Sequence, residues 1–367
     1  MNLLKSLIKL DTVKKTKLNL VIILYLFLLI VLGMGLVALY SSGGKDFFYK
    51  QILNITVGLS ISLVVFIVNL QMVYRYAYVL YIINLLMLGH VQFFGHNAMG
   101  ATRWINLFGL KFQPSESSKI ILILVLSRWF GDNRRVDSFR KLILPIILTL
   151  LPIAFIVKQP DLGTGIIIFM TSGIIILMSN IPSYLIFRMI SYLVFTLPFG
   201  WLSLHEYQKK RILIFMFNDD KMNSGYNIYQ SQIAIGSGGK FGAGFQMGSQ
   251  SQLGFLPENH TDFIFASFAE EFGLFASIVL IAFYCAITCI LWFMSMKTHN
   301  KIHSLTIVGL GSLFFLHCFI NIGMVMSLLP VVGIPLPFFS YGGTTLVSTL
   351  VLFGFCAKLY VTNNTEE

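Results

Sequence analysis

Residues 18–41 read LNLVIILYLFLLIVLGMGLVALYS, an apolar run without one charged side chain. A helix needs about 20 mostly apolar residues to cross the hydrocarbon core of a bilayer. The apolar part of a cleavable signal is shorter, about 7–15 residues. Lys5, Lys9, Lys14, Lys15 and Lys17 precede the run. It therefore reads as a first span, not a removed leader, with its N-terminus inside the cell.

Similar runs recur along the chain. Spans are predicted at roughly 18–41, 51–71, 76–94, 114–130, 141–157, 162–180, 183–203, 263–296, 304–328 and 341–360. The fourth has a short clean core flanked by Glu116, Lys119 and Arg128. The eighth opens on Glu270 and Glu271, which moves its lipid-length part to about 272–296. The fold class is an all-α polytopic membrane protein of about ten transmembrane helices, with a large extracytoplasmic loop, 204–262, before the eighth. With no internal repeat or linker, residues 1–367 read as a single domain.

Composition agrees. Of 367 residues, 56% are hydrophobic and 11% charged, against about 25% charged in a soluble domain. Mean hydropathy is +0.79. Soluble, disordered, fibrous and disulfide-scaffold classes are excluded. The net charge of +11 reflects basic residues that orient spans, not a nucleic-acid face. An inside N-terminus places Arg75, the cluster Arg134, Arg135, Arg140 and Lys141, the pair Lys297 and Lys301, and Lys358 inside as well. Both termini are then cytoplasmic. Long segments cross largely regardless of charge, so Lys209, Lys210 and Arg211 in the outer loop do not oppose this orientation. Cys285, Cys289, Cys318 and Cys356 lie in apolar runs and read as buried packers.

Acids collect on the outer face: Asp46, Glu116, Asp161, Glu206, Asp219, Asp220, Glu258 and Asp262. The loop there carries Ile212 to Phe217 and a Gly-rich stretch, Gly236 to Gly254. It is expected to pack back onto the bundle or dip into the interface. The inner halves of most spans read as apolar.

The most informative segment is Leu256-Pro257-Glu258-Asn259-His260-Thr261-Asp262-Phe263. Thr261 or Asp262 could cap the following helix. A cap leaves Glu258 and His260 unexplained, and ionisable groups at membrane depth are functional candidates. In Lys158-Gln159-Pro160-Asp161, the acid could cap a helix or pair with Lys158. In Gln113-Pro114-Ser115-Glu116, the proline suits a first helical position and Glu116 is a helix neighbour of Lys119. A structural pair is the simpler reading there. Arg103-Trp104 suits an interfacial anchor or an anionic headgroup contact. Leu329 to Gly343, with Pro330, Pro335 and Pro337, is a broken connection buried at the outer end. Gly236-Ser237-Gly238-Gly239-Lys240 is no P-loop, because Phe241 replaces the Ser/Thr. His205-Glu206 lacks a second His, and no Cys/His spacing suits a metal.

Six blocks in consistent order together resemble the SEDS family (shape, elongation, division and sporulation) of bacterial cell-wall polymerases. They are Gly100 to Ile105, Gln113 to Glu116 with Lys119, Gln159 to Thr164, Tyr226 to Ser231, Leu256 to Ala266, and Leu329 to Gly343. The wording of Val331 to Pro337 is more like the elongation members than the division members. Lys50-Gln51 departs from the family's usual Arg-Gln. Lys keeps the charge but loses the bidentate fork, which weakens a phosphate role.

The resemblance implies ten transmembrane helices in the bacterial cytoplasmic membrane and a peptidoglycan glycosyltransferase that polymerises lipid II. A growing glycan passes from undecaprenyl pyrophosphate to the GlcNAc 4-hydroxyl of an incoming lipid II, with Asp262 as general base. Arg103, Lys119 and Lys50 are candidates for the leaving pyrophosphate, alone or with a divalent cation, Mg or Mn. Glu116, Asp161, Glu258 and His260 are supporting candidates. A class B penicillin-binding protein and other elongation-complex membrane proteins are the implied partners. A lipid II flippase, a non-catalytic scaffold and a division-type polymerase remain alternatives.

Overall fold

The computed structural model describes residues 2–94, 96–98, 101–107, 110–132, 136–203, 206–217 and 225–362. Gly100, Arg134, Arg135, His205, Asp219 and Asp220, and the side chains of Lys5, Lys9, Lys14 and Lys15, lie outside the description.

The chain opens on helix α1 (Asn2–Val65), which joins the first two expected spans. Its membrane-compatible part, Thr16–Val65, has 50 residues and would be about 75 Å long if straight. That far exceeds a bilayer core. The helix breaks instead at Gly44, whose φ of 78° suits a residue without Cβ. The second arm stops at Val65, before the expected residue 71. There Lys358 donates to the carbonyls of Val65, Phe66 and Val68, closing the helix end. Short α2 (Leu70–Arg75) follows, capped by Asn69, and then α3 (Ala77–Phe94).

Between α3 and the next helix the chain is not the plain loop expected of an all-α fold. Strands β1 (His96–Ala98), β2 (Ala101–Leu107) and β3 (Leu110–Phe112) form an antiparallel ladder. Thr102, Trp104 and Ile105 suit a strand, and the ladder carries Arg103.

Helix α4 (Pro114–Gly131) starts at Pro114 and is buried almost throughout. It is followed by α5 (Phe139–Lys158), α6 (Leu162–Met178) and α7 (Ser183–Ser203). Outer segments α8 (Glu206–Phe217), α9 (Tyr226–Ser237) and α10 (Ser249–Gln252) precede α11 (Ile264–Met296), α12 (Lys301–Val325) and α13 (Gly343–Thr362). Among the described residues six helices are long and apolar enough to cross a membrane. Helix α12 is the axle of the bundle: 78% of its most apolar window is buried, against 33% for α1 and α11. It packs on α4, α6 and α11.

Helix α11 also breaks, at Gly273 (φ 76°). The Gly-rich outer segment docks into this break: Ala243 N donates to Glu270 O and Leu274 N to Gly239 O, both at 2.9 Å. A Cβ on Gly273 would lie 2.3 Å from Gly242 N. Buried Glu270 accepts from Gln250 N (2.8 Å) and Ser251 N (3.1 Å), while Glu271 accepts from Ser41 Oγ and Gln252 Nε2. The two acids anchor the loop, which packs back onto the bundle as expected for this part.

Candidate active site

The 256–263 segment folds as an irregular turn before α11. Glu258 sits in the left-handed region (φ 53°), and its carbonyl accepts from Thr261 N and Phe263 N. Its carboxylate accepts from Thr261 Oγ1 at 2.7 Å. The N-cap of α11 is Phe263, with no side-chain cap hydrogen bond. Asp262 is therefore not a helix cap, which removes the simplest structural reason for its presence.

The non-helical strip Leu329–Gly342 closes over this turn. Buried Asn321, on α12, donates to Asp262 O (2.9 Å) and to Ile334 O (2.6 Å), joining the two irregular segments through one amide. Ser340 Oγ donates to Thr261 O, Tyr341 N to His260 O, and Gln51 Nε2 to Ser340 O. Gly333 (φ 70°) backs onto the acid: a Cβ there would lie 3.5 Å from Asp262 Oδ2. His260 packs against the Phe47 ring, centroids 4.5 Å apart, and exposed Lys50 lies over the same ring.

Asp262 is only partly exposed. Desolvation, then the charge of Glu258, pushes its carboxyl up to about 6. Arg211 and Arg103 oppose that rise, and Asp161 adds to it. Asp262, Glu258, Asp161, Arg103 and Arg211 thus form one electrostatic neighbourhood. Arg103 is fixed by donating from Nε to Gln159 O (3.1 Å) and from Nη2 to Pro160 O. The next residue, Asp161, caps α6 through Thr164 N (3.2 Å) and Thr164 Oγ1 (2.9 Å), so the cap expectation holds there. No Lys158–Asp161 ion pair forms among the described residues.

Glu116 and Lys119 belong to a separate cluster inside the bundle. Lys119 Nζ lies 2.8 Å from Glu116 Oε1 and 3.0 Å from His317 Nε2. Ser348 Oγ donates to the other oxygen of Glu116 at 3.0 Å. The structural pair expected from their spacing is formed.

Sequence reading missed Arg211, counted only as a loop charge, and Asn321 and His317, lone polar residues in an apolar span. Nothing local marks them, because their partners lie far away in sequence. Among the described residues no three His, Cys, Asp or Glu side chains gather where a metal ion could be held. Asp161 and Glu258 are engaged by hydroxyls. Among the described residues the carboxylates at this face do not build a divalent-cation site.

Comparison with known proteins agrees with this architecture. The profile of the family described as "Cell cycle protein", covering FtsW, RodA and SpoVE, matches residues 15–365. "Peptidoglycan glycosyltransferase MrdB" of Escherichia coli (strain K12) is 35% identical over 339 residues, 91% of this chain and 92% of that protein. A solved chain from "Structural coordination of polymerization and crosslinking by a peptidoglycan synthase complex" superposes with a TM-score of 0.83 at 26% identity, covering 94% of this chain and 98% of that one. The fold is also that of the Thermus thermophilus rod shape determining protein RodA, with a TM-score of 0.71 at 24% identity over 93% of this chain and 96% of that one. The chain belongs to the FtsW, RodA and SpoVE family of cell cycle proteins, the SEDS family that its motifs resemble.

Proposed function

We propose that the outer mouth around Asp262 polymerises lipid II into glycan strands, with Asp262 as the general base. The chain is a peptidoglycan glycosyltransferase, and its similarity to MrdB and RodA fits an elongation role better than a division role. In the reaction, the GlcNAc O4 of one lipid II attacks C1 of the glycan held on undecaprenyl pyrophosphate. The O4–C1 bond forms, the C1–O bond to the diphosphate breaks, and the hydroxyl proton passes to a carboxylate. One observation carries the assignment. Asp262 makes no helix cap, and its carboxyl sits at about 6, basic enough to take a proton yet ionised at neutral pH. Glu258 raises its basicity, and His260 fixes the turn through its backbone and ring contacts. Arg103 faces the leaving group. Lys119 and Lys50 have weaker claims, since the first is buried in its own pair and the second rests on Phe47.

This reading places residues 1–367 in one transmembrane domain of ten spans in a bacterial cytoplasmic membrane. Both termini are cytoplasmic, and loop 204–262 and the site are outside. The similar synthase complex supports a single-span class B penicillin-binding protein as the crosslinking partner, with other elongation-complex proteins around it. A lipid II transporter would need a polar passage through the bundle. The buried charges of Glu116 and Lys119 instead neutralise one another, beside a cavity with space for about one water.

Purified protein incubated with labelled lipid II, with and without the transpeptidase, is expected to yield glycan polymer. In proteoliposomes, substrate confined to the outer leaflet should still be consumed. Scrambling of lipid II between leaflets without polymer would favour a transporter. Met247→Cys, on a cysteine-free background, should react with impermeant reagents from outside only, because Met247 is exposed on the outer loop.

A further inference from the structure

Glu270 is a buried carboxylate that the chemistry above does not use. It is 1% exposed, and no lysine, arginine or histidine pairs with it among the described residues. Its charge rests on the first turn of α10 instead. Oε1 accepts from Gln250 N at 2.8 Å and from Ser249 Oγ at 3.4 Å, and Oε2 accepts from Ser251 N at 3.1 Å. The two amides are orphan donors of the kind that an N-cap side chain ordinarily takes. The N-cap of α10 is Gly248, which has no side chain to offer. A Cβ there would lie 2.6 Å from Glu270 Oε2, in space that the distant acid fills. The backbone of Gly248 is extended, a conformation open to any L-residue, so glycine supplies room there and not conformational freedom.

The other end of α10 holds the reactive turn. Gln250 O accepts from Leu256 N at 3.1 Å, and Ser251 O accepts from Asn259 Nδ2 at 2.9 Å. Asn259 lies three residues before Asp262. Asn321, Ser340 and Tyr341 grip the turn from α12 and the strip 329–342, and Asn259 grips it from α10. We infer that Glu270 is a positioning residue for Asp262: it caps α10 in place of Gly248, and α10 fixes the turn through Asn259. The inference rests on the reading of Asp262 as the general base. The path closes on itself, because α11 runs from the turn to Glu270 in about two helical turns. A helix of 4 residues has no stability of its own, so its place depends on what holds its ends. A base must come within hydrogen-bond reach of the hydroxyl it deprotonates, and small displacements are costly. Gln252 also ties α10 to Ser41 and Glu271. Loss of Glu270 should therefore shift α10 without releasing the loop.

Glu270→Ala, Asn259→Ala and Gly248→Asp, each purified with the partner transpeptidase and assayed on labelled lipid II, test the path. Glu270→Ala should lower kcat about 10–100-fold and leave KM within about 3-fold, since the base is misplaced and the substrate surface is intact. Asn259→Ala cuts the path at its other end and should do likewise, and the two losses should not multiply in the double variant. Gly248→Asp alone sets a second carboxylate against Glu270 and should also lower kcat. Added to Glu270→Ala, the same change gives the vacated amides a local cap and should recover about tenfold of the lost kcat. Glu270→Ala with kcat within about 3-fold of wild type, or Gly248→Asp harmful in both backgrounds, overturns the inference. A role in stability alone would lower the yield of folded protein and leave kcat per folded enzyme unchanged, which overturns it too. If Glu270→Ala does not fold, Asn259→Ala carries the test, and an unchanged kcat there breaks the path. Wild type that makes no polymer would overturn the parent reading; active wild type with unaffected variants would remove the positioning role alone.

Discussion

Glu116 in the bundle core and Asp262 at the outer mouth are both acids near cations, and the fold treats them oppositely. Glu116 spends one oxygen on Lys119 and the other on Ser348, deep between α4, α12 and α13. Asp262 has cations nearby, but its turn leaves it out of the cap of α11, and burial with Glu258 makes its carboxyl proton-hungry. The core pair, through Ser348 and His317, ties α4 to α13 and α12, whereas the mouth acid is the one proposed to do chemistry. The contrast separates two residues that the sequence presents alike, each a carboxylate at the start of an apolar run.

The largest effect expected from this contrast is on rate. Asp262→Asn keeps size and polarity but accepts no proton. Polymer formation from labelled lipid II should fall by about 10²–10⁴-fold, with the protein still folded and bound to its partner. Asp262→Glu should recover little, because the longer arm misplaces the carboxylate. Activity of the Asn variant within a few-fold of wild type would erase the distinction and make Glu258 the next base to test.

The core pair should show the opposite profile, large in stability. Glu116→Gln or Lys119→Met alone strands one buried charge and should cost about 3–5 kcal/mol. The double variant removes both charges and should regain most of that loss, read as thermal stability in detergent. Single variants as stable as wild type would show that the pair does not hold the core. A stable but inactive double variant would return Lys119 to the list of groups acting on the leaving diphosphate.

The mouth acid should also set a pH limit. Since the reactive form is the carboxylate and the carboxyl sits at about 6, polymerisation should fall about tenfold per pH unit below that value. A limb near the ordinary aspartate value, 3.8, would mean that the mouth is wetter than its packing indicates.

Much of this was readable in the sequence because it is local. Apolar runs longer than a bilayer requires, lysines beside them, and the polar turn Glu258 to Asp262 announce spans and a site without any tertiary knowledge. The Glu116–Lys119 pair follows from helical spacing. What escaped depends on contacts between distant segments. His317 meets Lys119 across 198 positions, and Asn321 meets Asp262 across 59. The continuity of α1 through Gly44, and of α11 through Gly273, is likewise invisible to periodicity, because a single glycine conformation decides it. The strand ladder around Arg103 lay in a stretch too short to oppose an all-helical reading.

The smallest expected effect tests whether the reactivity of Asp262 has a structural cost. Its carboxyl is raised from the ordinary 3.8 to about 6. Between those values the native protein holds a proton that the unfolded chain has released, so stability falls as pH rises through that window. Above about pH 6 the native carboxylate is charged and poorly solvated, and the fold carries that cost in full. Asp262→Asn removes the charge, so at pH 7 the inactive variant should be more stable than wild type. The gain is on the order of 1–2 kcal/mol, allowing for residual solvent contact. Near pH 4 the two proteins should melt together, because wild type is then protonated too. A wild-type melting temperature that rose between about pH 4 and 6 relative to the Asn variant would reverse the sign. It would show that Asp262 is held as a stabilised anion and not as a base.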